Sequence, residues 1–329
     1  MSPMVLAGRS RDEASAALDD SDYARALTLA AQAVLPPETG LARDAVLLNN
    51  ADAMRLTGRA LYAMGRKDEA LDALLQAAAF ALGSDWHEQD QLTFQVSITG
   101  SEAEMTDLLI WLSRILMESG AEDSLYLSLA RRMADMADTV TPTGPTTFTT
   151  AYIRSSLAQS EGRTDAALAE LRALAARARA AGMEDYALLS EFYVQTQSAA
   201  AAETGTGIDA DGLIAAYAAA IAHARANPAS IIDPGFVAGE TASFLVMTDR
   251  SDAALDFARQ GFQARLDWLA VSGSAGLGEE AFRQNTRKLA ETLLQAASAK
   301  DGQRPGAICP KVDGVGCVII VETAANSPG

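Results

Sequence analysis

The run Leu56-Thr57-Gly58-Arg59-Ala60-Leu61-Tyr62-Ala63-Met64-Gly65-Arg66-Lys67-Asp68-Glu69-Ala70-Leu71 constrains the fold more than any other stretch of the chain. It reads as a helix, a tight turn at Gly65 and the start of a second helix. Gly58 is small where a facing helix must come close, and Leu61 lies about one turn further along the same face. Gly65 can take the left-handed conformation that ends a helix, which costs a residue with a Cβ about 1 kcal/mol or more. Ala70, Leu74 and Ala77 then form a stripe at i, i+4 and i+7. Small residues facing small and aliphatic ones let two helices pack antiparallel.

The pattern recurs. Ala14, Ala17, Ser21, Tyr23, Ala26, Leu27, Ala30 and Ala33 repeat it, with Pro36-Pro37 stopping the second helix. Weaker copies run through Gly120, Leu125, Leu129 and Arg132, and through Leu213, Ile214, Tyr217 and Ala220. Clearer ones include Gly162, Ala167, Leu168 and Leu171, and Leu245, Ala254, Leu255 and Ala258. Taking Ala26, Ala70, Leu125, Ala167, Leu213 and Ala254 as equivalent gives intervals of 44, 55, 42, 46 and 41 residues.

Composition agrees with helices throughout. Hydrophobic residues make up 49% of the 329, yet aromatics only 6%, and alanine, the best helix former, fills much of the difference. No apolar run is long enough to span a membrane. The formal charge of −17 argues against binding a phosphate backbone, which needs a basic patch. An acidic surface is solvated in the simplest reading, and it also attracts a basic peptide or protein partner.

Residues 1–9 read as a disordered N-terminus without an intact signal peptide, and residues 10–272 as one helical array. The compartment stays open between the cytoplasm and an exported location for a mature secreted chain. Breaks fall at Gly83–Gly100, at Thr139–Thr147, and around Asn227-Pro228 and Asp233-Pro234-Gly235. Residues 279–300 read as a C-terminal helix. In the tail, 301–329, Asp313-Gly314 can turn Ile308–Val312 back on Val315–Val321 as a β-hairpin. Cys309 and Cys317 lie there, either as two reduced thiols or as a local disulfide.

Over roughly residues 10 to 270 these hairpins resemble the tetratricopeptide (TPR) superfamily. The resemblance implies an all-α fold, a right-handed α-α superhelix of antiparallel helix pairs. It implies a non-enzymatic scaffold that binds a protein or peptide along its concave face. The intervals all exceed the about 34 residues of a regular TPR, so the array is expected to be irregular. A narrower resemblance lies in Ala258-Arg259-Gln260-Gly261-Phe262-Gln263-Ala264-Arg265-Leu266-Asp267-Trp268-Leu269. This run, followed by a Gly/Ser linker, looks like the helical segment preceding CHAT (caspase-like) domains in bacteria. It implies the alternative function of a sensor or regulatory array lacking its peptidase domain.

Catalytic or cofactor chemistry is not expected. His87 and His223 are the two histidines, and neither has a sequence-local partner for a triad or metal site. Asp209-Ala210-Asp211-Gly212 resembles part of a calcium loop, but Ala218 stands where a glutamate is needed. A helix N-cap explains it better. Glu102, Glu104 and Asp107 suit the positive end of a helix. Asn49, Asn50 and Gln195 are polar residues on otherwise apolar helices, and so are candidate clamps for a peptide backbone. Tyr152 and Tyr193 are candidate aromatic contacts.

Overall fold

Alanine and leucine recurring at three- and four-residue intervals turn almost every described segment into helix. The computed structural model describes residues 2–37, 39–119, 124–141, 145–202, 207–227, 230–248, 250–272, 307–308 and 320–321. Among them lie twelve α-helices. The first six are α1 (Pro3–Asp19), α2 (Tyr23–Ala33), α3 (Arg43–Ala63), α4 (Lys67–Leu82), α5 (Glu102–Ser119) and α6 (Ser124–Val140). The rest are α7 (Pro145–Ser160), α8 (Thr164–Ala180), α9 (Glu184–Ala200), α10 (Ala210–Ala226), α11 (Pro234–Leu245) and α12 (Ser251–Ser272). Ala307–Ile308 and Ile320–Val321 pair as two-residue antiparallel strands. The expected 279–300 helix, the Asp313-Gly314 turn, Cys309 and Cys317 lie outside the described residues.

One turn geometry recurs. Ser21, Gly65, Gly162 and Gly182 have φ of 60°, 76°, 74° and 71°. In each case the next residue's N–H reaches back to a carbonyl five positions earlier. The bonds are Asp22 to Ala17 at 2.7 Å, Arg66 to Leu61 at 2.9 Å, Arg163 to Ala158 at 2.8 Å and Met183 to Ala178 at 2.9 Å. The left-handed residue reverses the chain while satisfying a carbonyl that the helix end would orphan. Ser21 does this despite its Cβ, the one non-glycine with positive φ among the described residues.

The helices pair by small residues. Ala26, Ala70, Ala167, Leu213 and Ala254 are each the fourth residue of an even-numbered helix and are at most 1% exposed. The third copy corrects the sequence register. Leu125 is 54% exposed, and Leu127 is the fourth residue of α6 and is buried. Twelve residues before four of these positions stand Ala14, Gly58, Ser155 and Ala242, all small. Ser155 Oγ donates to the Ala167 carbonyl at 3.0 Å. Gly58 occupies the matching place. A Cβ there would meet Leu74 Cγ at 2.6 Å and the Ala70 carbonyl at 3.3 Å.

Leu74 is fully buried and has nowhere to swing. Gly58→Ala should therefore lower stability by about 1 kcal/mol. The close contact costs ~1–3 kcal/mol and outweighs the ~1 kcal/mol gained in helix propensity. Thermal unfolding checks this, and a raised midpoint would show that the helices can separate freely.

The helices form two compact units, one over Met1–Glu170 and one over Leu171–Gly273. In the first, each even helix packs on the odd helix after it: α2 on α3, α4 on α5 and α6 on α7. The odd helices α1, α3, α5 and α7 are also neighbours in succession. Leu74, Leu108, Leu112, Ile115 and Met133 centre its core. In the second unit α9, α10, α11 and α12 pack in sequence around Leu188, Phe192, Leu213, Tyr217 and Val237.

One segment departs from the sequence reading, and the expected break after α4 is present. Residues 3–9 are helical rather than disordered, because Ser2 caps α1 through a bond from the Val5 N–H, and Ala7 packs near Leu35 and Val46. The break after α4 holds one 3₁₀ turn, Trp86–Glu88. It is bound down by Gln95, whose backbone N–H and side-chain amide donate to the carbonyls of Ala81, Ala79 and Phe80. The Phe80 and Ala81 carbonyls are orphaned acceptors at the end of α4, and that of Ala79 also accepts the Gly83 N–H.

Candidate functional site

In the first unit the odd helices carry a continuous polar network. Arg55 of α3 is 6% exposed, and its guanidinium binds Asp52 at 2.7 and 2.9 Å and also Asp107 of α5. Asp52 reaches Arg11 of α1 at 3.0 Å, and Asp107 reaches Arg59 at 3.2 Å. Three successive odd helices are thus tied by charge. Burial works against the Arg55 cation, but the two flanking carboxylates outweigh it and raise its pKa. Asp107 therefore answers to Arg55 and Arg59 rather than to the helix dipole, unlike Glu102, whose carboxylate accepts the Gly100 N–H.

One turn further along lies an aromatic and cationic cluster. Tyr62 of α3 and Trp111 of α5 meet edge to face at 5.2 Å. Arg59 and Arg114 lie 5.7 and 5.4 Å from the Trp111 ring, and Arg114 and Lys67 lie 5.1 and 5.7 Å from Tyr62. Glu118 gathers the Tyr62 hydroxyl at 2.7 Å, Lys67 at 2.9 Å and Arg114 at 3.0 Å. Burial raises the Tyr62 pKa to about 12, with Glu118 reinforcing the shift and Arg114 opposing it, so the phenol stays a neutral donor. Burial also disfavours the Glu118 carboxylate, but the hydrogen bonds from Lys67, Tyr62 and Arg114 outweigh it and hold its pKa low.

The two clusters hold Arg11, Arg55, Arg59, Lys67 and Arg114 against Asp52, Asp107 and Glu118. This local majority of cations stands out in a chain with 26 Lys and Arg against 43 Asp and Glu. The Arg114 and Lys67 side chains are about half exposed, so the cluster is reachable from solvent.

The expected site residues divide. Asn50 Oδ1 accepts the Leu35 N–H at 2.8 Å, and its amide donates to the Leu35 carbonyl at 2.9 Å. Asn49 donates to the Ala33 carbonyl at 2.7 Å. Both side chains are buried, so the backbone they clamp is the chain's own, where Pro36-Pro37 ends α2. Tyr152 of α7 is half-buried and acts electrostatically on Arg114, which places it beside the aromatic cluster. Tyr193 and Gln195 belong to the second unit. Tyr193 meets Phe192 at a tilt and Phe236 edge to face, at 6.2 and 6.3 Å. Gln195 lies against Gly212 at the start of α10.

Sequence reasoning missed Arg55, Arg59, Arg114 and Glu118. The available signal was the matched spacing Arg59-x-x-Tyr62 on α3 and Trp111-x-x-Arg114-x-x-x-Glu118 on α5.

Other polar clusters have plainer roles. Asp209 accepts the Gly212 N–H at 2.9 Å as a helix N-cap. His223 meets Asp185 at 3.0 Å, and Ser230 Oγ donates to the same carboxylate at 2.5 Å. The carboxylate sits between hydroxyl and imidazole, which ties α9, α10 and the following loop together without aiming a base at the serine. Among the described residues no three His, Cys, Asp or Glu side chains converge to hold a metal ion. Nor is any helix of the described residues long and apolar enough to cross a membrane. No known family model matches the chain, and no curated protein matches it.

Proposed function

We propose that this chain is a non-enzymatic scaffold with a TPR-like array of helix pairs, which binds a protein or peptide segment across its odd-numbered helices. The observation that carries this reading is the aromatic and cationic cluster of Tyr62, Trp111, Arg59 and Arg114, set on α3 and α5 where neighbouring odd helices line up. Helical repeats use such a face because a segment laid across it touches side chains from several helices at once. Tyr, Trp and Arg are also the residues that most often dominate binding energy. The whole-chain charge of −17 favours a basic partner at long range. At the cluster the local cation majority decides instead, since charges beyond about 8 Å are screened at physiological salt. The segment that fits carries an apolar side chain beside a carboxylate.

Selection of a random displayed peptide library on the full chain tests this. Enriched peptides should bear an acidic residue near an aromatic or aliphatic one, and should lose at least tenfold in affinity against Trp111→Ala and Arg114→Glu. Failure to enrich peptides, or enriched peptides indifferent to both substitutions, would remove this face from consideration.

A further inference from the structure

A cavity of about 480 Å³ opens on the other side of α5, between α4, the Trp86–Glu88 turn and α6. Leu116 on its wall is roughly 140° around the helix from Trp111, so the cavity is separate from the cluster described above. Its size falls within the range of small-molecule sites, about 300–1,000 Å³. Leu75, Leu116, Leu125 and Leu129, with the rings of Trp86 and Tyr126, make most of the wall apolar. Leu125 is 54% exposed at the rim of the cavity.

Charge decides the kind of ligand. Asp72 lies on the wall at an exposed position, and among the described residues its carboxylate has neither an ion pair nor a hydrogen bond. Among the described residues no lysine or arginine lines the cavity, and the one imidazole there, His87, faces Glu88 at 3.7 Å. A carboxylate in a cavity that Trp86 and Tyr126 also line suits a cation, because a ring quadrupole and an acid both favour positive charge. An anion would gain no counter-charge and would meet Asp72.

We infer that this cavity binds a small organic cation, an ammonium group on an apolar aromatic or aliphatic body. The apolar body lies against the leucines and the ammonium meets Asp72.

The test uses three probes with one body, 4-phenylbutylamine, 4-phenylbutanol and 4-phenylbutyrate, titrated into the full chain by calorimetry and ligand-observed NMR. The amine should bind saturably and about tenfold tighter than the alcohol, and the carboxylate should bind weakest. Asp72→Asn should bring the amine down to the affinity of the alcohol and leave the alcohol unchanged. Gln76→Trp places a large ring over the cavity from an exposed position and should abolish binding of all three. Equal affinities for the three probes, unchanged binding in Gln76→Trp, or no saturable binding at millimolar amine would each overturn the inference.

Discussion

Arg55→Ala is expected to cost the first unit about 3 kcal/mol, because it takes the one cation shared by two carboxylates out of a nearly dry site. Arg55 is 6% exposed and Asp52 7%, so water cannot replace the partner lost at Asp52, although it reaches the part-exposed Asp107. The loss stays near the lower end for a broken buried pair, since Asp52 keeps Arg11 and Asp107 keeps Arg59. Arg55→Lys should recover less than half of it. A lysine ammonium is a point charge, whereas the guanidinium engages Asp52 and Asp107 through separate nitrogens. Hydrogen exchange along α3 reads the effect directly, with amides that exchange through global opening of the unit expected to speed up about a hundredfold. An acceleration of less than fivefold would mean that the network is solvated and contributes no more than a surface ion pair.

Asn50→Ala should be similarly damaging for a different reason, at about 3 kcal/mol. The side chain satisfies both the N–H and the carbonyl of Leu35, and removing it leaves two buried backbone groups unpaired. Asn50→Asp should be worse, because it replaces the donor to the Leu35 carbonyl by a buried negative charge. Asn49→Ala should cost less, about 1 kcal/mol, since of its two bonds only the one to Ala33 leaves an acceptor unpaired: Asn50 Oδ1 keeps the Leu35 N–H, and Asn49 Oδ1 has no partner to strand. Urea denaturation orders the three variants. If Asn50→Ala were neutral in stability but reduced peptide binding, the asparagine would be a ligand clamp.

Much of the helix pairing was legible because its causes are local. Gly65 announces its turn, and Ala70, Leu74 and Ala77 announce the buried stripe, through periodicity and backbone freedom alone. The slip from Leu127 to Leu125 has a local cause too. Leucines at 125, 127 and 129 offer three registers, and only the helix start at Ser124 chooses among them. The charged network was illegible, since Arg11 meets Asp52 and Arg55 meets Asp107 across 41 and 52 residues. Asn49 and Asn50 were visible as polar residues on an apolar helix. Sequence does not say that α3, enclosed by α1, α2, α4 and α5, leaves them facing the chain's own backbone.

The twelve-residue step from Ala14 to Ala26, Gly58 to Ala70, Ser155 to Ala167 and Ala242 to Ala254 works as a fixed gauge. Adding or deleting one residue inside such a pair would rotate the second helix by roughly 100° and turn its small residue away from the crossing. Between pairs there is no such constraint, and the stretch from α4 to α5 already carries extra length as irregular chain. The segment bearing Trp86 shows how such length is absorbed: its tryptophan joins the core and Gln95 ties it to the end of α4. Length is fixed within these four clasps of two helices and is looser in the stretch between α4 and α5.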